Sequence, residues 1–172
     1  MAVLPIRFYP DPVLRVRCPE VESFDGDLER LAEDMIETMY AAPGVGLAAP
    51  QVGVELRLAV IDTTAGEESN TLHVLINPEI FDPTGKDTDE EGCLSIPDIT
   101  EKVTRPEKIR VQALGLDGQP IEFEADGLLA RVVCHEVDHL DGVLFVDRLF
   151  GLRKERVKRQ LRKLSRRQEA AR

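Results

Sequence analysis

His135-Glu136-Val137-Asp138-His139 places two imidazoles four residues apart, with a carboxylate beside the first. On a helix, positions i and i+4 share a face, so both rings can converge on one metal ion. Glu136 can then serve a water at that ion as general base. The chain contains 3 histidines, and two of them fall in this pattern. A catalytic site of this kind needs three protein ligands and one open position. Two residues compete for the third place. His73 lies in the strand-like run Thr71–Ile76. Cys93 lies in Glu91–Pro97, where Gly92 allows close backbone approach and Pro97 stiffens the exit. A thiolate is a soft, strong ligand for a divalent transition metal, whereas a lone cysteine often packs as a small hydrophobe.

A third segment, Gly44–Gly53, is small, glycine-rich and apolar, with one amide side chain at Gln51. No Lys-Ser/Thr follows its glycines, which argues against a phosphate-binding loop. It reads either as a tight connection between helix and strand or as a flat substrate wall. In the second case Gln51 is a donor to a developing oxyanion.

These segments need elements to carry them. Residues 1–24 contain Pro5, Pro10, Pro12 and Pro19 and show no period, which predicts an extended start. Leu28, Leu31, Met35, Ile36 and Met39 repeat at helical spacing after Asp25 and Asp27, and Pro43-Gly44 ends that helix. Leu56–Ile61 and Leu72–Ile76 read as strands, the second stopped by Asn77-Pro78. Ile109–Ala113 and Ile121–Phe123 alternate around Asp117-Gly118 and predict a hairpin. Helical spacing returns from Asp126, a candidate N-cap, to Leu140. A last helix is expected over residues 151–168, with a narrow apolar stripe of Leu152, Val157, Leu161 and Leu164. The expected fold is α+β: antiparallel sheets packed around a central helix bearing the two histidines, with an N-terminal and a C-terminal helix. Residues 1–150 form the expected catalytic domain, and 151–172 its basic C-terminal helix.

Composition sets the outer limits. The chain has 172 residues and is 42% hydrophobic, enough for one domain with a real core. No apolar run reaches the roughly eighteen residues that cross a bilayer, and Met1–Pro10 does not read as a signal peptide. A cytoplasmic protein is expected. With 3 cysteines and no secretion signal, metal or catalytic use is favoured over a disulfide framework. The net charge is −10, yet Arg153–Arg172 carries ten Lys/Arg and two Glu, or +8, leaving −18 on the rest. A basic tail on an acidic body fits either an anionic partner such as RNA or a solvated helix.

Taken together, Gly44–Gln51 (GVGLAAPQ), Glu91–Ser95 (EGCLS) and His135–Gly142 (HEVDHLDG) resemble the motifs of the bacterial peptide deformylases, in the same order. The resemblance extends over nearly the whole chain, including Pro10–Arg15. It implies that Cys93, His135 and His139 bind one divalent metal ion, Fe²⁺ in the cell, with Zn²⁺, Ni²⁺ or Co²⁺ able to replace it. It implies that Glu136 takes a proton from water, which attacks the formyl carbon of a formyl-methionyl nascent peptide, and that formate leaves. Gln51 and the backbone N–H of Leu94 are the implied oxyanion donors. Leu128 and Val132 on the histidine face, with Gly44, Val45 and Gly46 opposite and Glu91 and Gly92 beside them, are the expected walls for the methionine side chain. Arg131 falls on or beside this face and either lines the pocket mouth or reaches water. Glu91 is expected to hydrogen-bond within the cysteine loop.

Two positions depart from the family pattern. Cys134 stands where Gln is usual, and a Cys93–Cys134 oxidation product is conceivable. Thr100 stands where some relatives carry arginine. The basic tail is similar to the C-terminal helix by which some bacterial deformylases dock on the ribosome, so ribosome contact is expected, with a monomeric enzyme and no membrane. Removal of Arg153–Arg172 is expected to weaken that contact and spare hydrolysis. The rivals are a zinc peptidase, which leaves the cysteine segment without a role, and a ribosome-associated protein with a structural metal, which needs a fourth ligand.

Overall fold

The computed structural model describes residues 1–171, so Arg172, the last cation of the basic tail, lies outside the described residues. Asp25, in extended backbone, accepts a hydrogen bond from the Leu28 N–H at 3.1 Å and caps helix α1 (Gly26–Ala41). Leu28, Ala32, Met35 and Met39 form its buried face. The chain leaves α1 at Pro43-Gly44 and enters β1 (Gly46–Ala48), a short helical turn (Ala49–Val52) and β2 (Leu58–Ile61). Then come β3 (His73–Thr84), β4 (Asp87–Cys93), β5 (Ile96–Arg105), β6 (Lys108–Leu114) and β7 (Pro120–Asp126). Helix α2 (Gly127–Leu140) follows β7, and α3 (Gly151–Ala170) closes the chain.

Five strands form one antiparallel sheet in the order β1-β2-β3-β6-β7, and β4 and β5 form a separate two-stranded hairpin. The fold is α+β, as expected. Helix α2 lays Ala130, Val132 and Val133 against Ile61, Leu75, Ile109 and Val111 of the larger sheet. Helix α1 packs its apolar face on Leu47, Leu58, Val60 and Ile76. A third cluster joins Ile96, Ile99 and Val103 of the hairpin to Leu14, Phe145 and, on α3, Val157, Leu161 and Leu164.

Several expectations are corrected. Strand β3 does not stop at Asn77-Pro78 but runs on to Thr84. A register shift between Ile76 and Glu79 absorbs the proline, and Asn77 takes a positive φ of 51°. The Asn77 side chain accepts from the Val21 N–H and donates to the Val21 carbonyl, replacing the lost ladder bonds. The hairpin β4–β5 occupies the stretch read as a cysteine loop. The first 24 residues are extended except for a turn at Tyr9-Pro10, closed by the Asp11 N–H donating to the Phe8 carbonyl, and a helical turn at Pro12–Arg15, begun by Asp11 accepting from Val13. Asp126 sits at the N-cap position of α2 but its side chain makes no capping bond, because it belongs to the exposed end of β7 and the turn is made by Gly127 at positive φ. Leu152 leaves the predicted stripe and is 89% exposed, while Val157, Leu161 and Leu164 are buried. No helix among the described residues is long and apolar enough to cross a membrane.

Candidate active site

One helical turn separates His135 from His139, and their ring centroids lie 5.0 Å apart. Cys93 reaches them from the last residue of β4. Its Sγ lies 3.3 Å from His139 Nε2, and the donor atoms of Cys93, His135 and His139 all lie within 4.8 Å of one another. No other His, Cys, Asp or Glu joins this group among the described residues. His73, the competing third ligand, is instead on β3, stacked on Phe123 with centroids 4.9 Å apart.

The residues present fit a metal ion. His135 Nδ1 meets Glu91 Oε1 at 2.9 Å, which fixes the ring and leaves Nε2 for coordination. His139 Nδ1 is buried with no protein partner. Burial opposes a charge on His135, yet Cys93, Glu91 and the neighbouring Glu136 push it up to about 10. Burial, with His135 and the nearby Arg105 and Arg15, holds His139 well below its ordinary value. Three donors leave a fourth position open, as in a catalytic rather than a closed structural site.

Glu136 is buried, and its Oε2 has no hydrogen-bond partner in the protein. Burial, opposed by His135 and Arg105, raises its carboxyl to about 7, close to the ideal for proton exchange at neutral pH. Gly46 lies directly against it. A Cβ at position 46 would stand 2.6 Å from Glu136 Oε1 and 2.9 Å from Val132 Cγ1, so only glycine leaves that carboxylate in place. Gln51 is 1% exposed and held at both ends. Its Oε1 accepts from the Ala48 N–H at 3.0 Å, and its Nε2 donates to Ser95 Oγ at 3.1 Å and points at Cys93 Sγ at 3.6 Å.

A cavity of about 350 Å³ opens onto this group, within the range of pockets that take small ligands. Gly44, Val45 and Gly46 line one wall and Glu90, Glu91, Gly92 and Leu94 another. Leu128, Arg131, Val132, His135 and Glu136 line the wall provided by α2. Every sequence-predicted site residue except His139 borders the cavity, and His139 sits behind it in the ligand cluster. Arg131 does not reach water. It is 5% exposed and bound to the hairpin. Glu91 does not bond within its own loop. It pairs with Arg105, Arg131 and His135.

Two functional neighbours escaped the sequence reading. Arg105 on β5 donates to both Glu91 oxygens at 2.9 Å and to Asp138 Oδ2 at 2.6 Å. Asp138 in turn accepts from Arg148. Burial would raise the Glu91 carboxyl, but Arg105 and His135 hold it down to about 2. The available signal was Asp138 itself, a carboxylate inside an apolar helical run. The N-terminal segment also ties the site together. The N–H groups of Arg7, Tyr9 and Cys18 donate to the carbonyls of Gln51, Ser95 and Leu140. All three cysteines are free. Cys134 packs in the apolar cluster beneath α2, where burial raises its thiol to about 11.

Fold and site together define an α+β protein with a Cys/His/His metal-capable centre beside a buried glutamate. A sequence model of the family described as Polypeptide deformylase matches residues 3–155. The "Peptide deformylase" of Alkalilimnicola ehrlichii is 54% identical over 166 residues, spanning 96% of this chain and 93% of that one. That of Thermodesulfovibrio yellowstonii is 51% identical over 155 residues, spanning 90% and 94%. The crystal structure of a peptide deformylase from Legionella pneumophila superposes with a TM-score of 0.88 at 46% identity, covering 98% of each chain. The chain belongs to the polypeptide deformylase family, a metal-dependent family, and is an enzyme of the class that acts on N-terminal formyl-methionine.

Proposed function

We propose that the enzyme hydrolyses the formyl group from formyl-methionyl nascent polypeptides and releases formate, using one divalent ion held by Cys93, His135 and His139. The observation that carries this reading is the convergence of three donor atoms within 4.8 Å beside buried Glu136, at a cavity of about 350 Å³. When bound, the ion supplies Lewis-acid polarisation of the formyl oxygen. Glu136 accepts a proton from water as that water's oxygen attacks the formyl carbon. The C–N bond then breaks, and Glu136 returns the proton to the departing nitrogen. Gln51 Nε2, prevented from flipping by Ala48 and Ser95, and the backbone N–H of Leu94 donate to the oxyanion. The methionine side chain enters between Val45 and the α2 residues Leu128 and Val132.

Two imidazoles and a thiolate accept Fe²⁺, Zn²⁺, Ni²⁺ or Co²⁺, and Fe²⁺ is our choice for the ion used in the cell. Every side chain of the site comes from one chain, so a monomer suffices, and the substrate places the enzyme in the cytoplasm. Residues 1–150 are the catalytic domain in this reading, with 151–172 as its helical tail. That tail is the proposed ribosome contact. Arg159, Arg162, Lys163 and Arg166 are exposed and form no ion pair among the described residues. Deleting the tail, the test the sequence suggests, would also uncover the cluster around Val157, Leu161 and Leu164. Replacing those four cations with glutamine is the cleaner test. It should weaken ribosome co-sedimentation and flatten its salt dependence, and unchanged co-sedimentation would sink the contact.

The activity is tested by formate release from formyl-Met-Ala-Ser on protein loaded anaerobically with Fe²⁺, Ni²⁺ or Zn²⁺ in turn. Glu136→Ala should keep the ion and lose roughly 10²–10⁴-fold in turnover. No release with any ion from folded, singly loaded protein would refute the reading.

A further inference from the structure

Arg131 lines the cavity with its stem and is nonetheless 5% exposed. Its guanidinium is spent on the hairpin. Nη1 donates to Glu91 Oε2 at 2.7 Å and to the Val103 carbonyl at 2.8 Å, and Nη2 donates to the Asp87 carbonyl at 2.8 Å. Asp87 lies on β4 and Val103 on β5, and Glu91 stands two residues before Cys93. One side chain on α2 therefore grips both strands of the hairpin and the carboxylate that meets His135. Arg131 lies four residues before His135, on the same helical face.

The hairpin needs such a grip. Two strands alone have little stability in water. On one side, Ile96, Ile99 and Val103 anchor it in the apolar cluster with α3. Toward α2 it is held by polar contacts. Arg105 reaches from hairpin to helix at Asp138, and Arg131 reaches from helix to hairpin. The planar five-donor fork of arginine can hold two carbonyls and a carboxylate at once, which an ammonium cannot reproduce.

We propose that Arg131 is a positioning residue that locks the β4–β5 hairpin onto α2 and so sets where the Cys93 thiolate stands relative to the His135 and His139 imidazoles. The metal part of this inference rests on the reading of those three residues as ligands, and the clamp itself does not. A merely structural ion pair would weaken the whole fold evenly when lost. A clamp would loosen the hairpin and spare the five-stranded sheet.

The experiment compares the parent protein with Arg131→Met, which keeps a long apolar stem, and Arg131→Lys, which keeps the charge and guards against failure of the first to fold. Backbone hydrogen exchange is measured without metal. Co²⁺ affinity is then measured by chelator competition, followed through the thiolate–Co²⁺ absorption. Exchange across residues 87–105 should quicken by at least about tenfold in Arg131→Met while β6 and β7 are unchanged, and Co²⁺ affinity should fall about 10–100-fold. Arg131→Lys should recover only part of both losses. Unchanged hairpin exchange, or equal quickening in both sheets, would overturn the clamp. A parent protein that takes no Co²⁺ would overturn the metal reading, and the exchange result would still decide the clamp.

Discussion

Where α2 meets the five-stranded sheet, it buries Ala130 and Val133 against Ile61, Leu75 and Ile109. Where it meets the β4–β5 hairpin, Arg131, His135 and Asp138 face Glu91 and Arg105. The first contact is apolar and non-directional, and it tolerates small shifts at small cost. The second is a chain of buried charges, in which each oxygen and nitrogen needs its partner in place. The enzyme thus keeps its stability largely on one side of α2 and the geometry of its metal-capable Cys/His/His group on the other. The two regions should fail differently.

The largest expected effect is at Arg105. Its side chain is 4% exposed and that of Glu91 5%, so Arg105→Met removes the buried bridge between two carboxylates and leaves Glu91 to Arg131 and His135 and Asp138 to Arg148. Such a loss costs about 3–5 kcal/mol, measurable by urea unfolding, and Co²⁺ affinity of the remaining folded protein should fall with it. Next comes Ile109→Ala in the centre of the larger sheet, at about 2–5 kcal/mol for the cavity it leaves. Here the folded protein should bind Co²⁺ as tightly as the parent. Equal loss of metal affinity in both variants would break the distinction between the regions.

The smallest expected effect sharpens it. Asp62, just past β2, is 1% exposed and accepts from Tyr40, Thr64 and Thr71. Burial would raise its carboxyl, but these hydrogen bonds hold it below the usual carboxylate range. A depressed folded value means that its contribution is present above the unfolded value near 4 and is lost as pH falls through the folded one. Unfolding measured from pH 6 downward should steepen below about pH 4 in the parent, and Asp62→Asn should lose part of that slope. An identical acid limb in both proteins would show that Asp62 is not linked to folding.

The same contrast explains what could be read from the residues alone. Periodicity located α1, α2, α3 and the β6–β7 hairpin because their inward positions are apolar. It missed β5, where the buried positions Ile99, Glu101, Val103 and Arg105 alternate correctly but two of them are charged. Strand β4, Asp87–Cys93, offers no apolar signal at all apart from its cysteine. The metal-capable trio and Glu136 were legible because ligand chemistry restricts residue type and spacing. Arg105, whose role depends on a partner 33 residues away at Asp138, carries no local mark. The end of β3 was misplaced because Asn77-Pro78 ordinarily stops a strand, and only the bulge beside Val21 lets it continue.

Position 46 has a consequence for what can bind along that wall as well as for the chemistry. Every possible replacement of glycine adds at least a methyl group, and that carbon falls on the Glu136 carboxylate and on Val132. No side chain fits at that position with Glu136 and Val132 where they stand, so the backbone along that wall keeps its bare surface. An inhibitor that leans on Gly46 would rest on a surface that no substitution there reshapes without displacing Glu136 or Val132.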